Sequence, residues 1–178
     1  MVCLICALEG LSVEASEVDF VTTIGLNINP CRACYACWFK TSGKCVQKDD
    51  ATKVMEKIRQ ADMLVIASPV YFYGLSAQLK AIIDRCHNPI RDTFKIKKTA
   101  ILLVGAATLP ELFDSILAQY QLCLNFFKLE DAGRVLVRGV KDKGDIKVTT
   151  NSLFHTDPKL PTLYIVASNF LGGVDVKN

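Results

Sequence analysis

Two short runs constrain this chain most. Residues 63–67 (Met-Leu-Val-Ile-Ala) and 99–104 (Thr-Ala-Ile-Leu-Leu-Val) carry no charge and no polar alternation. A strand with one wet face alternates; a strand with no polar face is buried on both sides, which is the condition of a parallel sheet covered by helices. The segments between fit that picture. Residues 51–61 place Val54, Ile58 and Ala61 at helical spacing behind Asp49 and Asp50, acids suited to a positive helix end. Residues 76–85 carry Leu79, Ile82 and Ile83 on one face, and 112–127 read as a long amphipathic helix. With strands at 18–24 and 134–140, the β-α-β-α rhythm predicts an α/β three-layer sandwich with a parallel sheet, right-handed crossovers and helices on both faces. Ligands of such sheets bind beyond the carboxyl ends of strands, here the loops that follow Ile24, begin at Ser68 and begin at Gly105.

Composition narrows the class. The 178 residues make one domain, 1–178, and 51% hydrophobic against 22% charged residues is a globular balance. A net charge of +3 without a basic stripe interleaved with aromatics argues against nucleic acid as a partner. The basic cluster at 95–98 reads as a solvated strand entrance. No apolar run reaches the roughly 20 residues that span a bilayer. Residues 1–8 are apolar but lack a basic start and the length of a secretory signal, so a cytoplasmic protein with no membrane partner is expected.

Eight cysteines are many for this length, and four of them crowd into residues 31–45. That clustering points to a metal or redox role rather than to a disulfide framework. Cys3, Cys6, Cys86 and Cys123 lie in apolar or helical contexts and read as core.

Two segments carry a family resemblance. The first is Cys31-Arg-Ala-Cys34-Tyr-Ala-Cys37, running through Gly43 to Cys45 and then Asp49-Asp50. The second is Ala61-Asp62, the apolar strand, Ser68-Pro69-Val70-Tyr71-Phe72, and Gln78-Leu79-Lys80 leading to Asp84-Arg85. In this order, with Gly105 and the stretch 131–145, they resemble the NADPH-dependent FMN reductase and iron-sulfur flavoprotein family over about residues 7–146. The resemblance implies a flavodoxin-like fold, bound FMN, NAD(P)H as electron donor and a homodimer or homotetramer. The residues suit a flavin: Ser68, Pro69, Val70, Tyr71, Phe72 and Gly74 form a turn with a stiffening proline, aromatic walls and a glycine that permits unusual dihedrals. Gly105, Ala106 and Ala107 let a backbone approach a ligand closely. Both segments also read as plain strand-to-helix turns. Lys80 and Asp84 are spaced to pair on a helix, and His87 suits a cap better than catalysis.

The cysteines admit three readings. Cys31, Cys34, Cys37 and Cys45 can hold a [4Fe-4S] cluster, as the iron-sulfur members imply. A four-thiolate zinc site usually pairs two Cys-x2-Cys knuckles, which this spacing lacks. Small buried thiols in a loop shaped like the relatives' are the third reading.

Both ends depart from the family pattern. Relatives begin with a strand, a phosphate loop and a helix, whereas residues 1–10 match only the later half of that helix. Residues 2–8 cannot be the first strand, because about nine residues are too few for the dozen a parallel crossover needs. The missing pieces stand at the other end: 162–167 (Thr-Leu-Tyr-Ile-Val-Ala) resembles the first strand, and Ser168, Asn169, Gly172 and Gly173 fall where the phosphate loop lies, without its Pro-Arg. The resemblance therefore implies a circular permutation in which 162–167 supplies the first strand, beside both 18–24 and 63–67. An N-terminally incomplete chain with an unrelated tail is the alternative.

The expected function is FMN-dependent electron transfer from NAD(P)H to flavin, quinone, or an iron-sulfur or protein acceptor, with no side chain needed as acid or base. The alternative is an FMN or iron-sulfur electron carrier or redox sensor without NAD(P)H turnover of its own. A cofactor-free scaffold is a third reading.

Overall fold

The structure, a computed structural model, describes residues 17–141 and 162–167. Five strands form one sheet: β1 (Glu17–Thr22), β2 (Met63–Pro69), β3 (Lys98–Val104), β4 (Glu130–Val137) and β5 (Thr162–Ala167). Their order is β1-β5-β2-β3-β4 and every pairing is parallel. The strand last in sequence thus fills an interior slot, between β1 and β2. Ile165 faces Phe20 on one side and Val65 on the other. This is the place expected for 162–167, and with it the order is that of a flavodoxin-like sheet. The expected helix at 1–10, the link at 142–161 and the loop carrying Ser168, Asn169, Gly172 and Gly173 lie outside the described residues. What the register fixes is that β5 ends, at Ala167, level with Thr22 and Ala67, on the edge where β2 runs into its loop.

The helices are α1 (Ala36–Phe39), α2 (Ala51–Gln60), α3 (Ala77–Arg85) and α4 (Asp114–Phe127), with 3-10 turns at Pro89–Thr93 and Pro110–Phe113. Helix α2 buries Ala51, Val54, Met55 and Ile58, a stripe at spacings of three and four, and each larger side chain contributes up to about 1.5–3 kcal/mol. Ser76 caps α3 by accepting from the Leu79 N–H at 3.3 Å. Helix α4 closes on Lys128 in the left-handed region (φ 56), with the Leu129 N–H donating to Leu124 O at 2.9 Å, a Schellman-type end made without glycine.

The helices α2, α3 and α4 pack on one face of the sheet, against Leu64, Ile66, Ile101 and Leu103. The alternate residues Met63, Val65, Ala67, Ala100 and Leu102 point to the other face and are equally buried. Both rows of β2 and β3 are apolar for that reason, although the described helices of this layer account for one face only.

Several details differ from the sequence reading, β1 among them, which spans Glu17–Thr22 rather than 18–24. The segment 112–127 opens as a 3-10 turn at Pro110 before becoming α4, because proline suits a helix start and Leu112 and Phe113 are drawn into the core. The strand expected at 134–140 is β4, which begins at Glu130 and stops at Val137. Its polar start is that of an edge strand, and Ala132 is bulged out opposite Thr99 and Ala100, with Gly133 at φ 140. Asp50 sits at the N-cap of α2, but its side chain makes no cap bond and turns back to the preceding loop.

Candidate functional site

At the carboxyl edge, β2 runs through Ser68 and Pro69 into a tight turn. Tyr71 and Gly74 exchange two backbone hydrogen bonds, both 3.0 Å, around Phe72 (φ 48) and Tyr73 (φ 63). Two consecutive positive φ values are the mark of a type I′ turn, normally filled by Asn and Gly. Here two aromatics hold it. Gly74, singled out for unusual dihedrals, has an ordinary φ, and a Cβ there would meet only Tyr71 O at 3.5 Å. The strain belongs instead to Phe72 and Tyr73, about 1–2 kcal/mol for each non-glycine left-handed residue. The rings are turned outward: Phe72 is 97% exposed, Tyr71 and Tyr73 about half. An exposed aromatic cluster on a strained turn is what a planar ligand can cover.

The turn's base is rigid. Ser68, fully buried, donates to Pro69 O at 2.7 Å and accepts from the Ser76 N–H at 3.1 Å. The Val70 N–H donates to Val104 O at 2.8 Å, and Ser115 Oγ to Tyr73 O. Gly105 follows β3 at the same edge. Its N–H is taken by Val137 O at 2.9 Å, and a Cβ would lie 2.6 Å from Leu112 Cδ2. A side chain there would press on the end of the buried Leu112 side chain, which would have to shift. Ala106 is exposed and Ala107 half-buried. Among the described residues, no hydrogen bond uses the N–H of Phe72, Tyr73, Ala106 or Ala107. Unpartnered amides beside exposed rings fit the polar rim and apolar faces of an isoalloxazine.

The second element is the cysteine loop. Its neck is closed by paired arms: Asn27 N–H donates to Asp50 Oδ2 and Asn29 N–H to Asp49 Oδ2, both at 3.0 Å, while Asp50 N–H returns to Asn27 O at 2.9 Å. Gln47 Nε2 donates to Pro30 O at 3.0 Å. Arg85, at the end of α3, donates through Nη1 to Asp49 Oδ2 at 2.5 Å and to Asn29 O at 3.3 Å. Burial pushes the Asp49 carboxyl up, but the Arg85 guanidinium and the Asn29 amide outweigh it and hold the group below its ordinary value.

Within the loop Cys34 stands between two left-handed residues, Ala33 (φ 51) and Tyr35 (φ 55). Cys31 and Cys34 are exposed; Cys37 and Cys45 are half-buried. Burial raises the Cys37 thiol most, a backbone hydrogen bond lowers it, and Cys45, Cys31 and Cys34 each raise it further. Among the described residues no group of three or more His, Cys, Asp or Glu is gathered closely enough to hold a metal ion. The donor type of the four thiols suits a soft metal or cluster, but their arrangement here does not form its site.

Other singled-out residues fall outside both elements. Lys80 and Asp84 pair at 2.5 Å on α3. His87 packs its ring near Trp38 (6.1 Å) and Phe126 (5.4 Å), a contact the sequence did not suggest. Cys86 is buried and Cys123 half-buried, as expected; both line an apolar cavity of about 370 Å³ on the helix-covered face, apart from the turn at Tyr71.

The model of the NADPH-dependent FMN reductase family matches residues 4–130. The chain belongs to that family. It is similar to an iron-sulfur flavoprotein of Methanocaldococcus jannaschii, 38% identical over 103 residues, covering 57% of this chain and 52% of the relative. It is similar also to the iron-sulfur flavoprotein of Methanosarcina thermophila, 39% identical over 101 residues, covering 57% and 50%. The chain thus spans about half the length of these curated relatives. Among solved structures it resembles a crystal structure of RosB with bound 8-demethyl-8-formylriboflavin-5'-phosphate, at a TM-score of 0.53 and 18% identity, covering 78% of this chain and 62% of that one. At that identity the likeness shows the flavodoxin-like fold alone. The family's flavodoxin-like sheet has here the strand between β1 and β2 supplied by β5. No helix among the described residues is long and apolar enough to cross a membrane.

Proposed function

We propose that this chain is an FMN-dependent oxidoreductase domain, holding the flavin at the carboxyl edge and taking electrons from NAD(P)H for a flavin, quinone, iron-sulfur or protein acceptor. The observation that carries this reading is the turn at Tyr71–Gly74, with three outward rings and with amides at Phe72 and Tyr73 that have no hydrogen-bond partner among the described residues. Membership of the NADPH-dependent FMN reductase family supports it. Ser68 fixes the base of the turn, Phe72 and its neighbours cover the ring system, and the amides of Ala106 and Ala107 reach its polar rim. Ser168, Asn169, Gly172 and Gly173 follow the carboxyl end of β5, the position for a phosphate grip. Bound there, FMN would supply the one- and two-electron chemistry that a nicotinamide donor needs. The test is FMN titration by flavin fluorescence, followed by NADPH and NADH oxidation. Phe72→Ala should weaken FMN binding several-fold, up to about tenfold, since an aromatic ring pair contributes about 0.5–1.5 kcal/mol beyond its area burial. Unchanged affinity would count against this edge.

The cysteine loop favours a second reading: an iron-sulfur and flavin electron carrier without nicotinamide turnover. Cys31, Cys34, Cys37 and Cys45 would ligate a [4Fe-4S] cluster, as the names of the archaeal relatives suggest for those proteins. Iron near four per chain in an anaerobic preparation, with no steady-state NAD(P)H oxidation, would favour the carrier. Assembly into a homodimer or homotetramer belongs to the same proposal and is read by light scattering.

A further inference from the structure

The cavity of about 370 Å³ beneath the helices lies over the amino ends of β2 and β3, where Leu64 and Thr99 line it. Thr99 and Gly105 stand at opposite ends of β3, and six residues of strand separate them by about 20 Å. The cavity is therefore no part of the aromatic turn, and its size is that of a small-molecule site.

Its interior is apolar. Ile66, Ile83 and Leu124 form walls together with the thiols of Cys86 and Cys123. Burial raises both thiols, Cys86 to about 12, so neither brings a charge inside at neutral pH. Tyr120, Phe94, Phe126 and Phe127 add aromatic rings to the lining.

One polar atom breaks these walls. Thr99 shares its face of β3 with Ile101 and Leu103, which pack under the helices, so the pleat turns its side chain into the cavity. The residue is 3% exposed, and its Oγ1 has no hydrogen-bond partner among the described residues. Leaving a hydroxyl buried and unpaired is unfavourable, and valine, of nearly the same shape, would avoid it. The neighbouring phenol does not serve it: Tyr120 Oη donates to the main-chain oxygen of Thr99 at 2.8 Å, with Asp131 Oδ1 at 3.2 Å on its other side.

The mouth is cationic. Arg91, Lys97 and Lys128 line it against one carboxylate, Asp92, and both lysines are exposed. The Arg91 guanidinium is held there over the rings of Trp38 and Phe126, at 5.0 and 5.3 Å.

We propose that this cavity is a second binding site, for a small aromatic carboxylate that carries an oxygen at the end remote from its carboxylate. The ring system fills the space between the helices, Thr99 Oγ1 hydrogen-bonds the inner oxygen, and Arg91, Lys97 and Lys128 face the carboxylate. The neutral walls reject a second charge inside. The site stands independently of the flavin reading of the carboxyl edge.

The experiment is calorimetric titration of the full chain with 6-hydroxy-2-naphthoate, with and without saturating FMN. The comparison ligands are 2-naphthoate, which lacks the inner oxygen, and 2-naphthol, which lacks the carboxylate. The hydroxynaphthoate should bind more tightly than either, with the same affinity whether or not FMN is present. Thr99→Val should lower its affinity several-fold, up to about tenfold, to that of 2-naphthoate, and leave 2-naphthoate unchanged. The double variant Lys97→Gln with Lys128→Gln should weaken both naphthoates several-fold, reduce their salt dependence and leave 2-naphthol unchanged. These variants alter an unpaired hydroxyl and exposed charges, so both should melt as the parent does. No binding of the hydroxynaphthoate, its displacement by FMN, or a preference over 2-naphthoate that survives Thr99→Val would overturn the proposal.

Discussion

Gly105 and the cysteines show how far one residue's surroundings decide its role. At Gly105 a Cβ would meet Leu112 at 2.6 Å, and Leu112 is itself in the core. Gly105→Ala should therefore destabilise the protein by about 1–3 kcal/mol through overpacking, and adding Leu112→Ala should make the methyl tolerable at that site. Thermal unfolding of the four members of this cycle measures the coupling. The thiols sort by burial. Cys86 is pushed up to about 12 by burial, then by the charges of Cys123 and Asp84, so at pH 8 it is a thiol and inaccessible. Brief alkylation at that pH should label Cys31 and Cys34, which are exposed, and spare Cys86 in the folded protein; peptide mass spectrometry reads the sites.

At the scale of elements, α3 is the strut of the molecule. Ser76 at its start is bonded to Ser68 beneath the aromatic turn, and Arg85 at its end holds the neck of the cysteine loop. That neck should be acid-sensitive. The Asp49 carboxyl lies below its ordinary 3.8 in the folded protein, so on acidification the unfolded chain takes up the proton first. The stabilisation is present in full above that ordinary value and is lost as pH falls through it toward the folded value. Melting temperature followed from pH 6 to pH 3 should fall more steeply in the parent protein than in Asp49→Asn; parallel curves would contradict the assignment. The aromatic turn is the other element where local preference is overridden. Phe72 and Tyr73 adopt φ values that Asn and Gly fill more cheaply, and Tyr73→Gly should raise the melting temperature of the FMN-free protein.

For the whole molecule, the decisive feature is that β5 joins β1 to the rest of the sheet, paired along its length to β1 and β2. A proline there removes a ladder hydrogen bond from an interior strand, a place where proline is essentially not found. Ile165→Pro should abolish the cooperative melt, and hydrogen exchange should be slowest in β5, β2 and β3 and faster in the edge strand β4.

The sequence by itself determined the elements and their kind. Short apolar runs without a polar face read as strands buried on both sides, so 63–67 and 99–104 were legible at once, and the position of 162–167 between 18–24 and 63–67 followed from the order of the family's segments. It also singled out the candidate thiol donors, four cysteines within fifteen residues, while leaving their role open. Only the tertiary structure decided which residues bear strain and which meet. Polar Glu130–Arg134 gave no strand signal, because an edge strand needs no apolar face. The demand for glycine moved from Gly74 to Gly105 because close approach depends on Leu112, seven residues on, and on Val70 in another strand's loop. Asp49 looked like a helix-end acid until Arg85 reached it across 36 positions of chain. Backbone periodicity is written in local sequence; a contact between distant side chains exists only once the sheet has set the helices side by side.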